Sequence, residues 1–207
     1  MTDKRIIHIV DDEDSVRRSA AFMLRTSGFE VHAYESGVEF LKLVARAEPG
    51  CILLDVRMPH MDGLEVQAEL NARGVIMPVI VMTGHGDIGT AVAAMRGGAY
   101  DFIEKPFEKD MLLAAIDGAL QRLAKGVRGT ANEQEARVRI AGLSPREQDV
   151  LRGLVLGKPN KVIAHDLSIS HRTIEVYRAG LMTKLGVRSL SEALRLAFAA
   201  GIFDGGE

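Results

Sequence analysis

Four short apolar runs each deliver a polar group at the carboxyl end, and this constrains the fold more than any other feature of the chain. Residues 6–10 precede Asp11-Asp12, Cys51-Ile52-Leu53-Leu54 precedes Asp55, residues 79–82 precede Thr83, and Phe102-Ile103-Glu104 precedes Lys105-Pro106. Strands that read as continuous apolar runs are buried on both faces, as in a parallel sheet covered by helices. In such a sheet the carboxyl ends share one edge, and the crevice where strand order reverses holds the chemistry. The pattern gathers three carboxylates, one hydroxyl and one ammonium into a single pocket.

Helical patterns lie between the runs. Asp14 or Ser15 can cap a helix with Val16, Ala20 and Leu24 on one face, stopping at Gly28, after which residues 29–34 read as the second strand. Residues 36–47, 64–72, 87–96 and 109–123 supply four more helices, the third ending at Gly97-Gly98. Five strands alternating with five helices predict an α/β, doubly wound, five-stranded parallel sheet over residues 1–123. Periodicity fades over 124–142, where Gly126, Gly129 and Thr130 suggest a linker or a frayed helical extension. Residues 143–207 show no strand pattern and read as a small all-α domain with helices over 145–156, 160–167, 171–184 and 190–200. Ser144-Pro145-Arg146-Glu147 supplies a cap, a first-turn proline and a reciprocal acid for the first of these.

The chain has 207 residues, 47% of them hydrophobic and 26% charged, enough for two small cores. Its longest nearly apolar stretch, 194–203, is interrupted by Arg195 and is too short to span a bilayer, and the start runs into four acids at 11–14 rather than a signal-peptide core. A cytoplasmic protein without a membrane role is the expectation. Cys51, the single cysteine, excludes an internal disulfide or a thiolate cluster. The net charge of -2 divides unevenly: residues 1–137 hold 16 Lys and Arg against 21 Asp and Glu, and residues 138–207 hold 10 against 7, leaving -5 and +3. An acidic body with an anion-binding tail fits that asymmetry.

Three carboxylates in one pocket repel one another and call for a cation. Mg2+ takes oxygen ligands, so Asp11, Asp12 and Asp55 with one backbone carbonyl would hold it and allow Asp55 to attack phosphorus. Lys105 and Thr83 would hold the other phosphoryl oxygens. The segments Val10-Asp11-Asp12-Glu13, Leu54-Asp55-Val56-Arg57-Met58-Pro59, Met82-Thr83-Gly84-His85-Gly86 and Phe102-Ile103-Glu104-Lys105-Pro106-Phe107 together resemble the receiver domain of two-component response regulators, a flavodoxin-like fold. The resemblance implies that Asp55 is the phosphoacceptor, Asp12 a direct Mg2+ ligand, Asp11 a ligand through water and the Arg57 carbonyl a further ligand. It also implies Thr83, Phe102 and Lys105 as switch hydroxyl, switch aromatic and phosphate-binding lysine, and a cis bond before Pro106.

The tail, from Leu143-Ser144-Pro145-Arg146-Glu147 through Asn160-Lys161-Val162-Ile163-Ala164-His165-Asp166-Leu167, Ser168-Ile169-Ser170 and Arg172-Thr173-Ile174-Glu175-Val176-Tyr177-Arg178 to Lys184-Leu185-Gly186-Val187-Arg188-Ser189, resembles a LuxR-type helix-turn-helix. The DNA-binding set is then Asn160, Lys161, Arg172, Thr173, Glu175, Val176, Arg178 and Lys184. Lys161, Arg178 and Lys184 suit phosphates, and Arg172, Glu175 and Val176 suit base edges. Glu175 has an alternative in pairing with Arg172 or Arg178 along its own helix. Gly180 is costly inside a helix unless it permits a close approach, and Pro159 stands where a hydroxyl cap is usual. The last helix carries more apolar surface than a lone module needs and resembles a pairing helix.

Both domains in this order resemble the NarL/FixJ response regulators, particularly the FixJ branch. That implies phosphorylation by a sensor histidine kinase, a homodimer formed on phosphorylation, binding to double-stranded promoter DNA and RNA polymerase as a further partner. The chain would not be an enzyme in its own right, beyond accepting and releasing its own phosphoryl group. Two alternatives stay open: a phosphatase or phosphotransferase of the haloacid dehalogenase type, whose second acid is lacking in Asp55-Val56-Arg57, and a DNA-binding protein independent of phosphorylation.

Overall fold

Ile7, Ile9, Leu53, Ile80 and Met82 are almost completely enclosed, and they mark alternate positions on neighbouring strands. The computed structural model describes residues 5–84, 88–125 and 129–201; His85, Gly86 and Asp87 of the fourth-strand motif and Gly126 of the expected linker lie outside the described residues. Contacts divide the chain into two units, residues 1–86 with 97–127 and residues 87–96 with 128–207.

The first unit is built on the strands β1 (Ile6–Val10), β2 (Glu30–Tyr34), β3 (Cys51–Asp55), β4 (Val79–Thr83) and β5 (Asp101–Glu104). They form one parallel sheet in the order β2-β1-β3-β4-β5. Every residue of β1, β3 and β4 is buried, as their unbroken apolar runs require, whereas the edge strand β2 buries only Val31. Helices α1 (Asp14–Thr26), α2 (Gly37–Leu43), α3 (Gly63–Ala72), α4 (Ile88–Arg96) and α5 (Lys109–Lys125) follow the strands in turn, α4 grouping by contacts with the second unit. Leu24 of α1 and Leu112, Ile116 and Ala119 of α5 close over one face of the sheet. Since side chains alternate along a strand, Ile52 and Leu54 face the other way.

Local chemistry explains the boundaries. Ser36 caps α2 by accepting the Glu39 N–H at 3.2 Å, and a 3-10 turn over Val44–Arg46 completes the segment expected as one helix. Asp62 and Glu65 form a reciprocal capping box at the start of α3. The expected cap of α1 by Asp14 or Ser15 does not occur. Both residues lie inside the helix, Glu13 occupies the cap position, and its N–H is taken by Asp11 Oδ1 at 2.9 Å.

The second unit continues with α6 (Gly129–Ala141), α7 (Pro145–Val155), α8 (Asn160–Asp166), α9 (His171–Leu185) and α10 (Leu190–Ala199). Helix α6 runs through the segment expected as a linker or frayed extension and lies along α10, with Ala136 and Ile140 buried. Arg137 Nε donates to the Ala200 carbonyl at 3.3 Å and Arg139 Nη1 to that of Leu185 at 3.1 Å. Ala193, Leu194 and Ala197, read as surplus apolar surface on the last helix, are buried. Among the described residues no helix is long and apolar enough to cross a membrane.

Candidate functional site

Strand order reverses between β1 and β3, so the residues that leave these strands flank the crevice. Asp11 and Asp55 occupy that position, both buried, with the exposed Asp12 beside them. Oxygens of the three carboxylates lie within 4.8 Å of one another. Thr83 ends β4, is 2% exposed, and donates its hydroxyl to the Gly84 carbonyl at 3.3 Å. Lys105 follows β5, anchored by its N–H on the Thr83 carbonyl at 2.8 Å. Its Nζ reaches Asp11 Oδ2 at 2.7 Å and Asp55 Oδ1 at 2.6 Å. The Lys105–Pro106 peptide is cis. Phe102, on β5 opposite Val81, is half-buried, and the Arg57 side chain is exposed.

The loop from Asp55 to α3 is held tightly. Gly63 N–H donates to the Val56 carbonyl at 2.8 Å, and a Cβ on Gly63 would fall 2.2 Å from the Asp55 carbonyl oxygen. Only glycine lets α3 begin this close to the backbone of Asp55.

Burial pushes the Asp55 carboxyl above its ordinary value; Lys105 works against this shift, and the charges of Asp11 and Asp12 reinforce it. For Lys105 burial is the largest influence and acts downward, yet the bonds and charges of Asp11 and Asp55 together hold the ammonium above its ordinary value. The pocket therefore carries excess negative charge, with one lysine shared between two acids. An all-oxygen donor set of this kind suits a hard divalent cation.

In the second unit, α8 and α9 meet across the turn containing Ser168, whose φ is 55°. Pro159 precedes α8 without any side-chain cap, whereas Ser170 caps α9 by accepting the Thr173 N–H at 3.1 Å. Lys161, Arg172, Glu175 and Val176 are exposed. Two residues expected at phosphates have partners within the unit. Arg178 is half-buried and donates to Asn160 Oδ1 at 2.9 Å, and burial draws its guanidinium down while Glu175 opposes the shift. Lys184 Nζ lies 2.7 Å from Glu147 Oε2, and Glu147 is 6% exposed. Neither link follows from helical periodicity, because each joins different helices. Along its own helix Glu175 lies 3.6 Å from His171 Nδ1, and its charge acts on Arg178, one of the two arginines expected as its partner. At Gly180 a Cβ would meet Glu147 Oε1 at 3.1 Å, so the glycine does serve a close approach.

Residues 7–117 match the response regulator receiver domain, and residues 141–197 match the luxR family of bacterial regulatory proteins. The transcriptional regulatory protein FixJ of Azorhizobium caulinodans is 51% identical over 196 residues, covering 95% of this chain and 93% of that protein. The chain belongs to the NarL/FixJ-type response regulators. FixJ of Bradyrhizobium diazoefficiens is 44% identical over 99% of this chain and 100% of that protein. The crystal structure of full-length FixJ from B. japonicum, also 44% identical, covers 98% of this chain and 100% of its own, with a TM-score of 0.59. Like other NarL/FixJ-type regulators, this one works in a two-component system, with phosphorylation controlling transcription. The family implies a sensor kinase as partner and DNA as target. This sets aside both alternatives, the dehalogenase-type hydrolase and the DNA binder independent of phosphorylation.

Proposed function

We propose that Asp55 accepts a phosphoryl group from the phosphohistidine of a sensor kinase, in a receiver over 1–123, and thereby controls a DNA reader over 143–207. The convergence of Asp11, Asp12, Asp55 and Lys105 at one sheet edge carries this reading. An Asp55 carboxylate oxygen attacks phosphorus, the P–N bond to the imidazole breaks, and the electron pair leaves with the ring nitrogen. The product is an acyl phosphate on Asp55.

Bound Mg2+ would screen the incoming phosphate from the carboxylates. Asp12 and Asp55 would hold it with the Arg57 carbonyl, and Asp11 through water. Both Asp11 oxygens already accept hydrogen bonds, from Glu13 N–H and Lys105, which supports its indirect part. Lys105 turns its ammonium from the carboxylates to the phosphoryl oxygens, Thr83 donates to another, and Phe102 moves into the space Thr83 leaves. Water attack on the same phosphorus would reset the protein.

On DNA, Lys161 touches phosphate while Arg172, Glu175 and Val176 face base edges, with Thr173 at the amino end of α9. The Arg178–Asn160 bond holds α8 against α9, and the Lys184–Glu147 pair holds α7 against α9. A homodimer formed on phosphorylation, recruitment of RNA polymerase and a cytoplasmic location complete the proposal. The test is intact-mass measurement after incubation with acetyl phosphate and Mg2+. Wild type gains one phosphoryl group, Asp55→Asn gains none, and chelation suppresses the gain. Undiminished labelling of Asp55→Asn would sink the assignment.

A further inference from the structure

Asp12 differs from the other two acids of the pocket in what holds it. Both Asp11 oxygens accept hydrogen bonds, and Asp55 is buried against Lys105. The exposed Asp12 carboxylate has no hydrogen-bond or ion-pair partner among the described residues. Its direction is therefore set by the backbone, and the peptide that leads into it begins at the Asp11 carbonyl.

That carbonyl is held by Arg17. Nη1 donates to it at 2.7 Å, Nη2 lies 3.3 Å from Asp14 Oδ1, and the side chain is 15% exposed. Side chains on a helix lean toward its amino end, so Arg17, in the first turns of α1, reaches back to the loop after β1. The place is otherwise a poor one for a cation, because the amino end of the helix dipole repels positive charge. The Asp11 N–H donates to the Tyr34 carbonyl at 3.3 Å, so the main chain of Asp11 is tied on both sides. A peptide is planar. Holding its carbonyl fixes the plane of the Asp11–Asp12 peptide, and with it the direction in which Asp12 leaves the strand.

Resting on the Mg2+ site proposed above, we propose that Arg17 is a positioning residue for that site, clasping the Asp11 carbonyl so that the Asp12 carboxylate is preset to receive the cation. Arg17 acts through the backbone, not through its charge, and the two predict opposite signs. As a cation beside Asp11, Asp12 and Asp14, its removal would by charge alone tighten Mg2+. Loss of the clasp frees the Asp11–Asp12 peptide, so the ordering of Asp12 is charged to binding and Mg2+ is held more weakly.

The test titrates the full chain with Mg2+ alone, by calorimetry, for wild type, Arg17→Met, Arg17→Lys, Asp14→Ala and Asp12→Asn. Urea unfolding in chelator records any change in the fold without metal. Arg17→Met should bind Mg2+ roughly tenfold more weakly, at the lower end for a partner that orients a metal ligand. Arg17→Lys keeps the charge and one donor for the carbonyl, and should recover to within about threefold of wild type. Asp14→Ala removes the ion pair and leaves the clasp, so it too should stay within about threefold. Unchanged or raised affinity in Arg17→Met would overturn the inference alone, as would an equal tenfold loss in Arg17→Lys or Asp14→Ala. If Arg17→Met does not fold in chelator, Arg17→Gln, neutral and shorter, takes its place under the same criterion. Failure of wild type to bind Mg2+, or wild-type affinity in Asp12→Asn, would overturn the metal site and the inference with it.

Discussion

Lys184 Nζ is bonded to Glu147 Oε2 at 2.7 Å, and the same carboxylate oxygen accepts the N–H and the hydroxyl of Ser144, each at 2.8 Å. One enclosed acid therefore ties the start of α7 to the last turn of α9. Lys184→Met keeps most of the stem but leaves the acid with Ser144 alone. Stability should fall by about 1 kcal/mol, toward the lower end for a charged hydrogen bond because Lys184 is half exposed. Urea unfolding at pH 7 measures this. Lys184 first, and Ser144 second, hold the Glu147 carboxyl below its ordinary value of 4.5. The stabilisation is thus present above pH 4.5 and is lost as pH falls through the lower folded value. The slope of log affinity for DNA against log salt should stay as in wild type; a slope reduced by about one would return Lys184 to the phosphate contacts.

Gly63→Ala places a methyl group against backbone, not against a side chain that can turn away. With the Asp55 carbonyl 2.2 Å from the new Cβ, either α3 or the Asp55 loop must shift. The expected cost is about 3 kcal/mol, at the upper end for overpacking, together with slower labelling by acetyl phosphate. A variant with wild-type stability and labelling rate would show that the α3 junction is not what positions Asp55.

His8 lies inside β1, 1% exposed, with Nε2 at 2.9 Å from the Glu48 carbonyl and Nδ1 at 3.3 Å from the Tyr34 hydroxyl. Burial lowers its proton affinity below the ordinary value of 6.5, reinforced by His32 and opposed by the Glu48 carbonyl and charge. The folded state therefore resists protonation. Stability should be constant with respect to this group above pH 6.5 and should drop as pH falls from there toward the folded value. His8→Phe should flatten the urea midpoint between pH 7 and pH 5. An equally steep decline in the variant would assign the pH dependence to other groups.

The sheet edge was readable because Asp11, Asp55 and Thr83 follow or end strands buried on both faces, and Lys105 follows the short edge strand β5 in the same order along the chain. What the pattern could not carry was partnership. Lys105 was expected at the phosphate, but its second bond, to Asp11, depends on a register between β1 and the loop after β5 that local spacing does not encode. Arg178–Asn160 and Lys184–Glu147 escaped for the same reason. Helix α6 was obscured by Gly129 and Thr130, weak helix formers, while the burial of Ala136 and Ile140 alongside α10 outweighs their propensity. The α1 cap was misjudged because Asp11, outside the helix, takes the N–H of Glu13.

Phosphorylation is expected to produce a dimer competent for DNA. The phosphoryl group brings roughly two negative charges, which compete with Asp11 for the Lys105 ammonium and give the enclosed Thr83 hydroxyl a strong acceptor. Thr83 ends β4 and Lys105 follows β5, so movement of Lys105 reaches the segment that continues into α5. Met111 of α5 is 62% exposed, whereas Ala91 and Met95 of α4 are buried. Two receivers joined there would deliver two readers to half-sites about 34 Å apart. Moving the equilibrium from 1:99 to 99:1 requires a bias of about 5.5 kcal/mol, and a smaller one gives a graded response. Light scattering at matched concentration should show a monomer before acetyl phosphate treatment and a dimer after it. Met111→Asp should remain monomeric while Asp55 is labelled normally. If wild type stays monomeric in both states and binds the same site equally well, labelling of Asp55 is not coupled to DNA through dimerisation.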